Sequence, residues 1–329
     1  MLNNDIDNDK TDKNDKSVRR ERNVETFLGC DNEYDEAEIV IFGAPYDSTT
    51  SYRPGTRFAS KAMRSESFGI ETYSPYQSAD LLDIPVFDGG DIELSFGAPE
   101  RALRQIEEFA DEIYADQKIP VMIGGEHLVT LGSVRSAVKS FPNLYILHFD
   151  AHADLRDDYL GEPLSHACVL RRSWELVGDG RIFQFGIRSG DRDEFAWSEE
   201  TGLSGFRHVD TNRFNFKYLQ NALDLLDGKN VYFTIDLDVL DPSVFPGTGT
   251  PEPGGVSFAE LLDAVIAVTR SNVNLVGCDV NELSPVYDQS GASTAVANKI
   301  LRELLIGIDY NKSKKKDIKR RMIEKWEKL

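Results

Sequence analysis

The chain has 329 residues, 40% of them apolar, and a formal charge of −19. That length and apolar content support one large domain or two modest ones around a substantial core, and the charge repels nucleic acid and favours cationic ligands. Its three cysteines, Cys30, Cys168 and Cys278, lie too far apart for a disulfide framework or a thiolate metal site, so a cytoplasmic location is the default expectation.

Residues 1–22 are rich in Asn, Asp and Lys and are expected to be a disordered polar extension rather than a signal peptide. No apolar run reaches the length of a transmembrane helix, so no membrane association is expected. From Glu38 onward short β-rich runs alternate with helical patterns. Strands are predicted at Ile39–Phe42, Pro85–Phe87, Val121–Ile123, Leu144–Phe149, Ile182–Phe185, Val231–Ile235 and Leu275–Cys278, with a weaker one at Phe206–Val209. Helices are predicted at Pro99–Gln117, Leu128–Lys139, His166–Val177, Phe216–Leu226, Ser257–Thr269 and Ala292–Ile306. Pro99 suits a first helical turn, and Ser257 with Glu260 reads as a capping box. This alternation predicts a single three-layer α/β/α domain, residues 23–310, with a central mostly parallel sheet. A basic tail, residues 311–329, follows it with nine Lys/Arg against three Asp/Glu. Ile318, Met322 and Trp326 recur in it at helical spacing.

Three of the predicted strands end in metal-ligand chemistry. Leu144–Phe149 runs into Asp150-Ala151-His152-Ala153-Asp154, where unpaired carboxylates would repel one another and resist burial. Val231–Ile235 runs into Asp236-Leu237-Asp238, whose acids project to one side at a two-residue period. Val121–Ile123 runs into Gly124-Gly125-Glu126-His127. Ligands of open parallel sheets bind outside the carboxyl ends of strands, so the three pieces meet if those strands are neighbours. One such pair of acids alone reads as a helix cap or turn; three clusters at three strand ends read as a metal site. Four carboxylates and two imidazoles are too many for one catalytic zinc and suit two Mn²⁺ ions sharing acids. His148 is expected to pack beside Asp150, and His208 to be structural. His166, at a loop-to-helix junction, is a candidate proton carrier. Glu282, after the strand at Leu275–Cys278, is either a surface acid or a bidentate partner for a planar guanidinium. The run Pro246–Gly255 lacks the phosphate-loop pattern and lies among acids.

Together these residues resemble the ureohydrolase family, the arginase/agmatinase group, over roughly Ile39 to Ile306. The resemblance implies one α/β/α domain with a binuclear manganese centre. It implies that one ion is held by His127, Asp150, Asp154 and Asp236, and the other by His152, Asp150, Asp236 and Asp238. It further implies attack on a guanidinium carbon by a metal-bridging hydroxide steered by Asp154, with Glu282 binding the guanidinium and His166 moving protons. The run Pro246–Gly255 is similar to agmatinases. In the loop after Asp154, Asp157, Asp158 and Glu162 would attract an ammonium and repel a carboxylate, although Arg156 opposes this unless it faces outward. The expected reaction is hydrolysis of agmatine to putrescine and urea in polyamine synthesis. The rivals are N1-aminopropylagmatine, guanidinobutyrate, arginine or formimidoylglutamate as substrate, a non-catalytic polyamine-binding relative, and a zinc deacetylase of like fold. Leu128, Ala153 and Ala167-Cys168 depart from the family's usual residues without removing a ligand. The resemblance also implies a homo-oligomer, a trimer or hexamer.

Overall fold

The structure, a computed structural model, describes residues 23–200 and 216–326, with side chains through residue 316. The predicted disordered extension, the weak strand at Phe206–Val209 and His208 lie outside those residues. Seven parallel strands form the central sheet: β1 (Ile39–Gly43), β4 (Val86–Asp91), β5 (Ile119–Ile123), β6 (Leu144–Phe149), β7 (Ile182–Phe185), β8 (Asn230–Asp236) and β9 (Asn274–Asn281). Their order is β4-β1-β5-β9-β8-β6-β7. All seven predicted strands in this range are present. A two-stranded antiparallel ribbon, β2 (Tyr73–Ser74) with β3 (Ala79–Asp80), was not predicted because two-residue strands carry no periodicity.

The sheet is covered on both faces. Side chains alternate along β1, so that Ile39 and Ile41 join one core while Val40 and Phe42 join the other. The first core packs beneath α1 (Ala59–Ser67), α6 (Phe216–Leu225), α7 (Phe258–Arg270) and α8 (Ala292–Trp326). The second packs beneath α2 (Pro99–Ala115), α3 (Thr130–Ser140) and α4 (Val169–Val177). Burial on both faces explains why β8 reads Val-Tyr-Phe-Thr-Ile with no polar alternation. Pro99 stands in the first turn of α2, and Ser257 caps α7 in a reciprocal pair with Glu260. The helices predicted at Leu128 and His166 each begin with a short 3-10 turn, at His127–Val129 and His166–Cys168, before α3 and α4. A further helix, α5 (Arg192–Glu200), has too few apolar positions to show a face in the sequence. No described helix is long and apolar enough to cross a membrane.

The helix predicted to stop at Ile306 continues as α8 to Trp326. Its basic residues find acceptors on the body. Lys312 and Lys316 pair with Glu38, and the Lys315 ammonium donates to the Val273 carbonyl, Asn274 Oδ1 and Asn311 Oδ1.

The site end of the sheet depends on close backbone approach. Glu126 N donates to the Tyr46 carbonyl at 2.7 Å, and Glu282 N donates to the Gly125 carbonyl at 3.0 Å. A Cβ on Gly125 would lie 2.0 Å from Tyr46 O and 2.7 Å from Tyr46 N. Neither atom can move without disturbing the chain after β1. Gly125→Ala is therefore expected to cost about 1–3 kcal/mol in urea unfolding and to lower the metal content of purified protein, since His127 and Glu282 hang on this segment.

Candidate metal centre

The strands β5, β9, β8 and β6 are consecutive in the sheet, and their carboxyl ends carry His127, Glu282, Asp236 and Asp150. β5 and β6 are successive in sequence yet separated in space by β9 and β8. This break in winding order is where open α/β sheets leave a crevice. His127, His152, Asp154, Asp236 and Glu282 line a cavity of about 230 Å³ there, together with Ser51 and His166. Asp150 and Asp238 are fully buried behind them.

Asp236 is the last residue of β8, and Asp238 sits in the 3-10 turn that follows. The two acids share a side through this turn rather than through strand pleating: Asp236 Oδ1 accepts from Asp238 N at 2.8 Å. Asp154 and Glu282 both adopt left-handed backbone, with φ of 54° and 65°. Such strain in non-glycine residues persists where the surroundings over-determine it, and it clusters at functional sites.

His127 Nδ1 lies 3.0 Å from Asp150 Oδ2, 3.0 Å from Asp154 Oδ2 and 3.4 Å from Asp236 Oδ2, and is buried without a hydrogen-bond partner. Its other nitrogen, Nε2, is 2.9 Å from Thr234 Oγ1, whose own proton goes to Asp279 Oδ1 at 2.6 Å. Nε2 therefore carries the ring hydrogen, and the Nδ1 lone pair faces three carboxylates. A second nitrogen repeats the pattern: His152 Nδ1 is 2.9 Å from Asp238 Oδ2 and 3.5 Å from Asp150 Oδ1. Asp150 turns one oxygen to each group.

The electrostatics carry the same demand. Burial, then the charges of Asp238 and Asp150, push Asp236 well above the ordinary carboxylate range. Burial, then Asp238 and Glu126, do the same to Glu282. Asp154 is pushed up to about 7 by burial and Asp150. Acids this crowded stay ionised when positive charge sits between them. His127, His148, Asp150 and Asp154 form one group, and Asp150, His152 and Asp238 another, joined through Asp150; Asp236, 3.4 Å from His127 Nδ1, falls in neither. This buried His/Asp cluster is suited to two metal ions.

His148 lies in the first group, but both its nitrogens are engaged. Nε2 meets Asp150 Oδ2 at 2.8 Å, and Nδ1 accepts from Gln184 Nε2 at 3.1 Å. His148 thus orients Asp150 and offers no ligand atom. Gln184 also donates to the Ala153 carbonyl at 2.8 Å, tying β7 to the segment that carries His152 and Asp154. Gln184, Thr234 and Asp279 escaped the sequence reading because each lies inside an apolar strand. Glu126 was also missed as a participant: it accepts from Thr49 N, Thr49 Oγ1 and Thr50 Oγ1 and so holds the 49–51 loop over the cavity. His166 N donates to the same Thr49 hydroxyl, and burial and then His152 push the His166 ring down to about 4.

The loop acids separate. Asp157 pairs outward with Arg172, and Asp158 Oδ1 accepts from Gly161 N at 2.8 Å. Neither borders the cavity at the metal centre or the cleft next to it. Glu162 borders a cleft next to the main cavity. Arg156 faces inward, 3.3 Å from Asp191 and 3.4 Å from Glu194, with its guanidinium 4.6 Å from the Tyr159 ring.

Residues 37–307 match the model of the arginase family. The chain belongs to the arginase family. It is 46% identical over 282 residues to the agmatinase of Bacillus subtilis (strain 168), a match covering 85% of this chain and 95% of that protein. It is 37% identical to the N(1)-aminopropylagmatine ureohydrolase of Thermococcus kodakarensis, over 77% of this chain and 84% of that one. The crystal structure of the agmatine ureohydrolase of Thermoplasma volcanium superposes with a TM-score of 0.79 at 32% identity, covering 89% of this chain and 97% of that chain. As an arginase-family member with this site, the chain is a ureohydrolase enzyme.

Asp150 and the Ala153 carbonyl are held through Gln184 and His148. Replacing Gln184 by Met frees the His148 tautomer and the Ala153 carbonyl. Calorimetric titration of metal-free protein with Mn²⁺ is expected to show affinity reduced about 10–100-fold, with the circular dichroism of the fold unchanged. Affinity equal to that of the natural chain would contradict the role given to Gln184.

Proposed function

We propose that this enzyme hydrolyses agmatine to putrescine and urea with two Mn²⁺ ions as cofactors. The observation that carries the reading is the pair of imidazole nitrogens, one buried and one half-buried, each facing carboxylates that share Asp150. The donor set of His127, Asp150, Asp154 and Asp236 would hold one ion. His152, Asp150, Asp236 and Asp238 would hold the other. Oxygen-rich ligation with one imidazole per ion favours manganese over zinc. When bound, such ions supply Lewis acidity that makes water a nucleophile near neutral pH.

The chain's own residues do the rest. Glu282 fixes one oxygen by accepting from His127 N at 2.8 Å, and its carboxylate accepts hydrogen bonds from the planar guanidinium. That contact places the guanidinium carbon over Asp154 and His127. Asp154 holds the proton released as water adds to the carbon. The tetrahedral adduct collapses as a proton reaches the departing amine nitrogen. His166 is neutral at physiological pH and presents Nε2 at 3.4 Å from Ser51 Oγ at the cavity mouth, where it carries protons outward. The products are urea and a protonated amine, balancing one water consumed. Glu162 and the neutralised Arg156 support a substrate whose far end is an ammonium. They disfavour guanidinobutyrate, arginine and formimidoylglutamate, which carry carboxylates.

N1-aminopropylagmatine is the second reading, supported by the likeness to the Thermococcus enzyme. Trimeric or hexameric assembly, as the family resemblance implies, is part of the proposal and is checked by light scattering.

Urea release from agmatine is expected with Mn²⁺ and is lost on chelation, which also lowers the melting temperature because buried carboxylates lose their counter-charge. Asp150→Asn and Asp236→Asn are expected to abolish it. Absence of urea from every guanidine tested at full manganese loading would defeat the reading. Glu282→Gln is expected to lower kcat/KM for agmatine by about 10–100-fold, the worth of a charged hydrogen bond, in steady-state assays.

A further inference from the structure

A separate cavity, of about 510 Å³, lies at the opposite end of the sheet from the metal centre. It opens among the last turns of α2 and α3, the first residues of β5 and β9, and α8. β9 begins there at Asn274 and ends at Asn281, beside Glu282. Its length, at about 3.3 Å per residue, holds the two sites about 25 Å apart. Four lysines line the cavity, Lys118, Lys312, Lys315 and Lys316, and no Asp or Glu among the described residues does. In a chain of net charge −19, the sign is reversed here. Ile119, Phe141, Leu275 and Val276 form an apolar wall, with the rings of Tyr114 and Phe141 meeting edge to face at 5.7 Å.

These lysines bring more positive charge than the fold neutralises. Glu38 pairs with Lys312 and Lys316, one carboxylate for two ammoniums. Lys118 Nζ meets the Ala37 carbonyl and the Tyr34 ring, and Lys315 Nζ meets the Val273 carbonyl and the amide oxygens of Asn274 and Asn311. Neither meets a carboxylate among the described residues. Nor are they needed as helix caps, because the Tyr114 and Ile113 carbonyls at the end of α2 accept from Gln117 N and Lys118 N. Four ammoniums against one carboxylate leave three positive charges at the cavity. Burial, then Lys314, push the Lys315 ammonium down to about 8. Gln117, also in the wall, holds a φ of 58° at a cap position that favours glycine, so an amide is kept beside the lysines at the cost of backbone strain.

We infer that this cavity binds a small organic anion of two or more negative charges, a phosphate monoester or a dicarboxylate on an apolar body. The anionic head lies among the four ammoniums and supplies the charge that Glu38 leaves unmatched. The body lies against Phe141 and Leu275, where it is removed from water. The cavity is of the size of small-molecule sites. Its charge repels a guanidine or an amine, so neither the proposed substrate nor its amine product is the ligand. Lys312, Lys315 and Lys316 lie past residue 307, where the arginase-family match ends. The site is therefore a property of the continued α8 of this chain, not of the fold it shares with that family.

Four probes separate head from body: phenyl phosphate, phthalate, inorganic phosphate and benzyl alcohol. Each is titrated calorimetrically into the full-length, manganese-loaded protein at low ionic strength, where charge pairing is least screened. Phenyl phosphate or phthalate is expected to bind at least about tenfold more tightly than inorganic phosphate or benzyl alcohol, and the tighter of the two names the head group. Lys118→Gln and Lys315→Gln are each expected to weaken that binding about tenfold, the worth of a charged hydrogen bond. Lys118→Arg, which keeps the charge, is expected to retain most of it. Should Lys315→Gln fail to fold for want of its three bonds, Lys118→Gln decides alone. Failure of both organic probes to bind more tightly than about 1 mM overturns the inference. So does inorganic phosphate binding as tightly as either, since the apolar wall then contributes nothing. Affinity unmoved by Lys118→Gln places the anion elsewhere, on the metal ions for example, and also overturns it. No urea is measured, so the inference and the proposed function fail independently.

Discussion

Two imidazole nitrogens, His127 Nδ1 and His152 Nδ1, face buried carboxylates at about hydrogen-bond distance. Carboxylates buried this close together are stable only with positive charge among them, and the rest of the site is arranged around that demand. The bond from His127 Nε2 to Thr234, and on to Asp279, fixes which nitrogen faces the acids. The bond from Gln184 to His148 does the same for the ring that orients Asp150. These supports are as buried as the acids they orient, so the cage is rigid before any ion arrives.

The sheet makes the convergence possible. β8 and β9 are inserted between β5 and β6, so residues more than a hundred positions apart, such as His127 and Asp236, end within one crevice. The cost is strain and close approach: left-handed backbone at Asp154 and Glu282, and a chain crossing at Gly125 that leaves no room for a Cβ. Both fall where the chain must turn a carboxylate inward immediately after a strand. Burial of every strand on both faces keeps these ends from shifting.

The mouth of the site is built differently. Its charges lie in loops, and pairing decides which of them act. Asp157, Asp191 and Glu194 are each matched to an arginine, whereas Glu162 has no such match among the described residues. Arg156 turns inward, but two carboxylates, Asp191 and Glu194, face it. Among the three acids of the loop after Asp154, only Asp157 is matched to an arginine, so the count of acids there overstates the charge left at the mouth.

Much was legible in the sequence alone. Runs of β-branched and aromatic residues marked all seven strands of the main sheet, since strands buried on both faces tolerate little else. Asp150, His152, Asp154, Asp236, Asp238 and His127 stood out because several ionisable groups at strand ends have no cheap structural explanation. Position along the chain also marked Ser257 as a cap for α7. The strand order, however, follows from packing over the whole domain, and only it shows that the three clusters meet. The roles of Gln184, Thr234 and Asp279 depend on partners across neighbouring strands, which one-dimensional spacing does not encode. Past Ile306, α8 lays Lys312, Lys315 and Lys316 on acceptors such as Glu38 and Val273 O, which are distant in sequence and so invisible to local spacing. The three loop acids look alike as sequence; that Asp157 meets Arg172 while Asp158 and Glu162 accept from the backbone N–H groups of Gly161 and Leu164 is a property of the folded chain.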